Sequence, residues 1–205
     1  MDGGSEDETL AVARRSGVPG LRVEVSPRPG TAHQRNLGAR LANCETLVFL
    51  DADVGLPVDF LESFLASARS RRLRVACPLY LPRYSDLGLR AAHLLFGGLL
   101  WILQRVAPIG AGGCLAVRRD AFLESGGFSP ELKFEDAELV RRLARMERFG
   151  VVGTPVYVSD RRYRSVGRLR LAGAYLMAGP LFIIGRYGLA GRLVQLAESR
   201  GSTRR

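Results

Sequence analysis

Apolar and polar positions follow two different periods along this chain, and the switches between them mark out its elements. Glu6–Arg15 places acids ahead of a helical pattern, which suits the helix dipole and predicts a short helix. Leu21–Val25 alternates like a strand, and Pro27–Thr31 reads as a loop. Ala32–Ala42 has a helical pattern, and Thr46–Leu50 is an apolar run of β-formers. Asp59–Ser70 follows Pro57 as an amphipathic helix. Arg74–Leu79 predicts a strand, Asp86–Val106 a long helix, Cys114–Val117 a strand and Arg119–Glu124 a helix, closed by a turn at Gly126-Gly127. Glu135–Met146 predicts a helix, Val151–Val158 a strand, and the last 40 or so residues read as helical and basic. Strands alternating with helices predict an α/β fold with a mostly parallel sheet.

The most informative stretch is Leu47-Val48-Phe49-Leu50-Asp51-Ala52-Asp53-Val54. A buried strand ends there on two aspartates spaced i, i+2. If the chain stays extended, alternate side chains leave on one side and both carboxylates aim at a common point. Hard oxygen donors in that arrangement suit Mg²⁺ or Mn²⁺ shared with a phosphate-bearing ligand. The competing expectation is that the pair simply ends a strand and begins a turn.

Composition narrows the choice of function. A chain of 205 residues with 47% hydrophobic residues is long enough for one domain with a real core. The net charge is +10, carried by 29 Arg and the single Lys133. Residues 160–205 hold ten Arg and two acids, Asp160 and Glu198, so +8 of the +10 lies in that segment. Such a tail suits an anionic lipid surface or a polyanionic substrate. No aromatic-interleaved basic segment or zinc-finger spacing supports nucleic acid. Cys44, Cys77 and Cys114 lack paired spacing and predict neither a disulfide framework nor a zinc site, which fits a reducing cytosol. The opening residues are polar and acidic and do not read as a signal peptide.

Two uncharged stretches, 91–104 and 171–185, are each bounded by arginines, Arg90 and Arg105 in one case and Arg170 and Arg186 in the other. Both fall short of the roughly 20 residues a span needs. They predict helices buried on the sheet or in a homodimer interface, or helices lying in the plane of a membrane.

Further candidates come in sequence order. Asp2-Gly3-Gly4-Ser5 is a polar turn suited to a base or ribose, or to a helix cap. Arg35 and Asn36 follow a glycine loop on a helix start, within reach of phosphate or base. Gly112-Gly113 precedes a strand, where missing side chains let a ligand approach. Glu135-Asp136 opens a helix that continues into Arg141-Arg142.

Taken together, D-G-G-S-E-D-E-T, R-N-L-G-A, F-L-D-A-D, G-G before a strand, R-R-x-x-F with G-G-F, and E-D-x-x-L with R-L occur in one order over residues 2–165. This set resembles the inverting family 2 glycosyltransferases of the GT-A fold. The resemblance implies a GT-A-like, Rossmann-like domain over residues 1–165, with the basic helical segment 166–205 following it. It implies transfer of a hexosyl group from a nucleotide-sugar to a hydroxyl acceptor, with a polyprenyl-linked acceptor among the candidates. Asp51 and Asp53 would hold Mg²⁺ or Mn²⁺ on the diphosphate, Asp136 would be the general base and Glu135 its neighbour. Asp2, Arg35, Asn36, Asp51, Gly112 and Gly113 would surround the nucleotide-sugar. Arg161 and Arg162 would meet the diphosphate or a lipid phosphate.

Family members place a strand ahead of the acidic glycine turn, and this chain opens at that turn. The sequence is compatible with a start assigned within a longer frame. It is also compatible with a shortened, catalytically impaired protein that binds a membrane or a partner. The expected location is the cytoplasm, at or near the inner face of the cell membrane.

Overall fold

The computed structural model describes residues 1–83, 87–104, 108, 110, 113–159 and 166–202. In chain order the elements are helices α1 (Thr9–Arg15) and α2 (Thr31–Leu41), strand β1 (Thr46–Leu50), α3 (Phe60–Ser70), β2 (Val75–Pro82) and α4 (Leu87–Leu103). They continue with β3 (Cys114–Arg118), α5 (Arg119–Glu124), α6 (Glu135–Met146), β4 (Phe149–Val158), α7 (Arg168–Ile183) and α8 (Tyr187–Ser202). Most agree with the sequence pattern to within a few residues.

The four strands form one sheet in the order β1-β3-β2-β4. Pairing is antiparallel for β1 with β3 and for β3 with β2, and parallel for β2 with β4. Three described strands therefore run in one direction, and β3 runs against them from a central position. In strand direction the sheet is mostly parallel, as expected, and β3 is the one reversed strand among those described. A short run such as Cys114–Arg118, buried in its first four residues, has the same composition in either direction, so its pattern carries no sign of polarity. The consequence is local and large: the reversed strand starts where β1 ends, with Leu50 opposite Cys114.

Side-chain alternation divides the core into two layers. Leu47, Phe49, Leu115 and Val117 face one cluster with Ala32 and Ala39 of α2, Phe122 of α5 and Leu139, Val140 and Leu143 of α6. The alternate residues Cys114 and Ala116 face the other, against Phe60, Phe64 and Ala68 of α3 and Val152 and Val156 of β4. Residues 21–25 do not form the expected strand. They are reduced to one bridge, Val25 with Asp2, because Asp2 is the described residue that pairs with them. Among the described residues β1 is an edge strand.

Helices α7 and α8 pack on each other through Leu171, Ala174, Ala178, Ala190 and Val194. They are keyed to α6 and the residues just before it by the Phe134 ring, by a Lys133–Glu198 ion pair, and by Arg141, which donates to the Phe182 and Ile183 carbonyls at 2.8 and 2.6 Å. No described helix is long and apolar enough to cross a membrane.

Candidate active site

Strand β1 delivers Asp51 to the edge of the sheet, and the Asp51 amide continues the ladder by donating to the Gly113 carbonyl at 3.0 Å. The antiparallel course of β3 is what sets Gly113 beside Asp51. A Cβ at Gly113 would lie 3.0 Å from Val54 and 3.2 Å from Tyr80, so glycine permits this close approach. Gly112 lies outside the described residues. The chain leaves the extended conformation after Leu50, and the Val54 amide reaches back to the Asp51 carbonyl at 3.3 Å. Asp51 and Asp53 therefore belong to a turn, and strand alternation does not co-align them. The turn is held in place from the far side by the Gly55–Tyr157 bridge, with both N–H···O distances at 2.8 Å.

Arg35 organises the site. From the second turn of α2 its guanidinium pairs with the Asp51 carboxylate, and its other nitrogen donates to Glu135 Oε1 at 3.2 Å. Its carbon sits 5.1 Å from the centre of the Phe128 ring, a cation–π arrangement. The Arg35 side chain is 11% exposed and that of Asp51 36%. One cation thus joins two carboxylates that lie 84 residues apart in sequence. Glu135 and Asp136 stand in the first turn of α6, where acids match the helix dipole.

Burial pushes both of these carboxyls above the ordinary range. For Glu135 desolvation outweighs the opposing Arg35 charge, with Asp136 and Asp51 adding repulsion. For Asp136 desolvation again dominates, against a 2.8 Å hydrogen bond from the Ala137 amide. The buried Cys114 thiol is pushed up to about 12 by desolvation and the nearby Asp51 charge, and burial also raises Cys77, so neither thiol is a nucleophile at neutral pH.

Asn36 has a different job from the nucleotide contact expected of it. Its amide donates to the Phe128 carbonyl at 2.8 Å and accepts from the Phe128 amide at 2.9 Å. The turn Asn36 grips is built on two positive-φ glycines, Gly126 at 83° and Gly127 at 76°. A Cβ on Gly127 would come within 2.6 Å of Asn36 Oδ1. From the other side Arg142 binds the Ser125 and Gly127 carbonyls and is itself held by Glu138. The R-N, G-G-F and E-D…R blocks are therefore one assembly: α2 and α6 clamp the turn that presents Phe128 beneath Arg35. This joint use of the motifs was not legible from their spacing. Replacing Asn36 with Ala strands both Phe128 backbone groups and is expected to cost about 1–3 kcal/mol. Denaturant unfolding would measure it, and an unchanged midpoint would contradict the clamp.

Asp2 is spent locally. Its carboxylate accepts from the Gly4 and Ser5 amides at 2.7 and 2.8 Å and from the Ser5 hydroxyl at 2.6 Å. These bonds, the hydroxyl first, hold it below its usual pKa. The acid thus fixes the shape of the glycine turn, and the Asp2 backbone donates to the Glu24 carbonyl and accepts from the Ser26 amide, both at 2.8 Å. Arg161 and Arg162 lie outside the described residues.

Among the described residues, no three His, Cys, Asp or Glu side chains cluster as a metal cage. The donor set at the β1 end is two carboxylates of one turn. That suits a hard divalent cation which takes one or two protein oxygens and completes its shell with phosphate and water.

The sequence profile described as glycosyl transferase family 2 matches residues 1–126. Among curated proteins none matches this sequence. Among solved structures, the mannosyltransferase PcManGT from Pyrobaculum calidifontis, in complex with GDP-Man and Mn2+, is similar with a TM-score of 0.68 at 19% identity, covering 100% of this chain and 65% of that one. TarS of S. aureus, in complex with UDP-GlcNAc, gives a TM-score of 0.59 at 18% identity over 86% of this chain and 55% of its own. GalNAc-T7 with UDP, GalNAc and Mn2+ gives 0.50 at 19% identity over 67% and 32%. This chain spans 65% or less of the length of each of these structures. At such identities the likeness establishes the fold, a GT-A-type α/β architecture.

Proposed function

This chain belongs to glycosyl transferase family 2, and we propose that it moves a hexosyl group from a nucleoside-diphosphate sugar to a hydroxyl acceptor with inversion at the anomeric carbon. The observation that carries the reading is the Arg35 bridge, which gathers Asp51 and Glu135 at one end of the sheet. Asp136 sits beside Glu135 on the same helix start. PcManGT with GDP-Man and TarS with UDP-GlcNAc support a nucleotide-sugar as the donor class.

The chemistry needs two charge adjustments. The acceptor oxygen attacks the anomeric carbon from the face opposite the diphosphate, and its proton must leave. Glu135 is held by Arg35, so Asp136 is the base, and a carboxylate raised above its ordinary range is a stronger proton acceptor than a solvated one. The bond from the anomeric carbon to the phosphate oxygen breaks, and negative charge moves onto the departing diphosphate. A divalent ion, Mg²⁺ or Mn²⁺, supplies charge neutralisation there when bound. Asp51 and Asp53 would hold it together with diphosphate oxygens. Arg35 holds the Asp51 carboxylate in place at the β1 edge. Gly113 lets Val54 and Tyr80 pack closely beside Asp51, and the Asp2 turn and Arg161-Arg162 are the candidates for contacts to the remainder of the nucleotide.

The acceptor we propose is a lipid-linked, polyprenyl-type hydroxyl, met at the inner face of a membrane. The basic composition of the C-terminal helices supports this.

Incubation with UDP-, GDP- and dTDP-sugars, with and without Mn²⁺, tests the reading through release of nucleoside diphosphate. Release is expected to require the metal and to fall by about two orders of magnitude in Asp53→Ala, the scale of losing one charge-stabilising group. Equal release from the wild type and Asp53→Ala would remove the assigned metal role.

A further inference from the structure

The outward side of α7 is apolar where a surface helix should be charged. Helix α7 is uncharged from Leu171 onward, and its inner stripe, Leu171, Ala174 and Ala178, is already buried against α8. A second stripe points outward: Leu176 is 80% exposed, Met177 66%, and Ile183 and Ile184 follow one and a half to two turns later, with Ile184 at 65%. Leu189 and Leu196 of α8 are exposed as well. A helix apolar on both sides needs a second covering, and a contiguous exposed patch of this kind marks an interaction surface.

We propose that the α7–α8 hairpin docks flat on an anionic lipid bilayer, with Leu176, Met177, Ile183 and Ile184 inserted at the headgroup boundary. Length excludes a span: 16 residues reach about 24 Å, short of the roughly 30 Å hydrocarbon core. Charge selects the occupant. Exposed Arg170 and Arg186 stand at the two ends of the apolar stripe, and exposed Arg192 follows on α8. The one acid between 166 and 202 is Glu198, which is bound by Lys133. A second copy meeting this face would bring arginines against arginines with no counter-charge from the hairpin. Anionic phosphates complement the same ring, as basic residues flanking an apolar helix face do at membrane surfaces. The surface deepens the lipid-linked acceptor proposed above and rests on that reading for its purpose, though not for its existence.

Flotation of the purified chain with phosphatidylcholine vesicles, with and without phosphatidylglycerol, provides the test. The wild type is expected to float with the anionic vesicles, to release as salt is raised, and to stay unbound with neutral ones. The double substitution L176E/M177E lies on exposed positions, so its circular dichroism should match the wild type while its partition falls at least about tenfold. R186E gives a second arm that leaves the apolar stripe intact and should weaken anionic binding alone. The proposal is overturned by absent wild-type flotation at low salt or by undiminished flotation of L176E/M177E. A dimer seen by light scattering without lipid, and dispersed by that double substitution, overturns it too. Flotation needs neither donor nor turnover, so its outcome is separate from that of the nucleotide-release assay.

Discussion

Asp136→Asn is expected to lower the rate of sugar transfer by about 10²–10⁴-fold, the range lost when a positioned general base is removed. Its amide keeps the size and the hydrogen bond from Ala137 but accepts no proton from the acceptor hydroxyl. The loss should appear in kcat, with donor binding by calorimetry changed little. The wild-type pH profile carries a second signature. Burial raises the Asp136 pKa, so transfer should fall with acidification across a limb lying above the ordinary carboxylate value of about 3.9.

The sign of the stability effect runs opposite to activity. A carboxyl whose pKa is raised in the folded state binds its proton more tightly there than when unfolded. Its ionised form therefore weakens the fold at neutral pH, and that penalty fades as pH drops through the raised value. Asp136→Asn should melt no lower than the wild type at pH 7. A variant with full activity, or one that loses activity only by unfolding, would contradict the assignment of the base.

Arg35→Met is expected to damage the fold and the donor side of the site together. It removes the charge shared by Asp51 and Glu135 while keeping much of the apolar contact with the Phe128 ring. Breaking one arm of a buried pair costs about 3–5 kcal/mol. Asp51 is a third exposed and solvent recovers part of that, so a loss on the order of 2 kcal/mol is expected. Donor affinity should fall by tenfold or more, since Asp51 then lacks the contact that orients it. Arg35→Lys separates charge from geometry: it restores a cation but not a fork that reaches two carboxylates, and should recover stability better than donor affinity. Calorimetric titration with a nucleoside diphosphate and Mn²⁺, beside thermal melts, reads both quantities. Unaltered affinity in Arg35→Met would remove the organising role given to this residue.

Much of the fold was legible from periodicity because the core is built from regular faces. Leu47 and Phe49 against Val48, or Leu115 and Val117 against Cys114 and Ala116, separate into the two core layers as strand alternation requires. The helices α2, α3, α5 and α6 were visible for the same reason. Leu21–Val25 misled because alternation records a preference, whereas a strand exists only where a neighbouring backbone satisfies its amides and carbonyls.

The candidate site divides differently. Residue type marked Asp51, Asp53, Glu135 and Asp136, since carboxylates at the end of an apolar run and at a helix start have few reasons to be there beyond turns, caps and chemistry. Asn36 was marked too, but its amide serves the Phe128 backbone, a partner 92 positions away that no local pattern announces.

By itself, the sequence determined which segments are helix or strand with the exception of Leu21–Val25, where the acids stand relative to them, the ordered motif set of the family, and the basic, uncharged-strip character of the C-terminal helices. Those properties are local, set by neighbours a few residues apart and by the charge each residue carries. Only the tertiary structure decided that β3 runs against the other strands and sets Gly113 beside Asp51. It also decided that one guanidinium joins Asp51 to Glu135, and that the apolar face of α7 is left outward. Each of these depends on contacts between distant segments, and a short apolar strand or a single arginine has the same local chemistry whichever partner the fold brings to it.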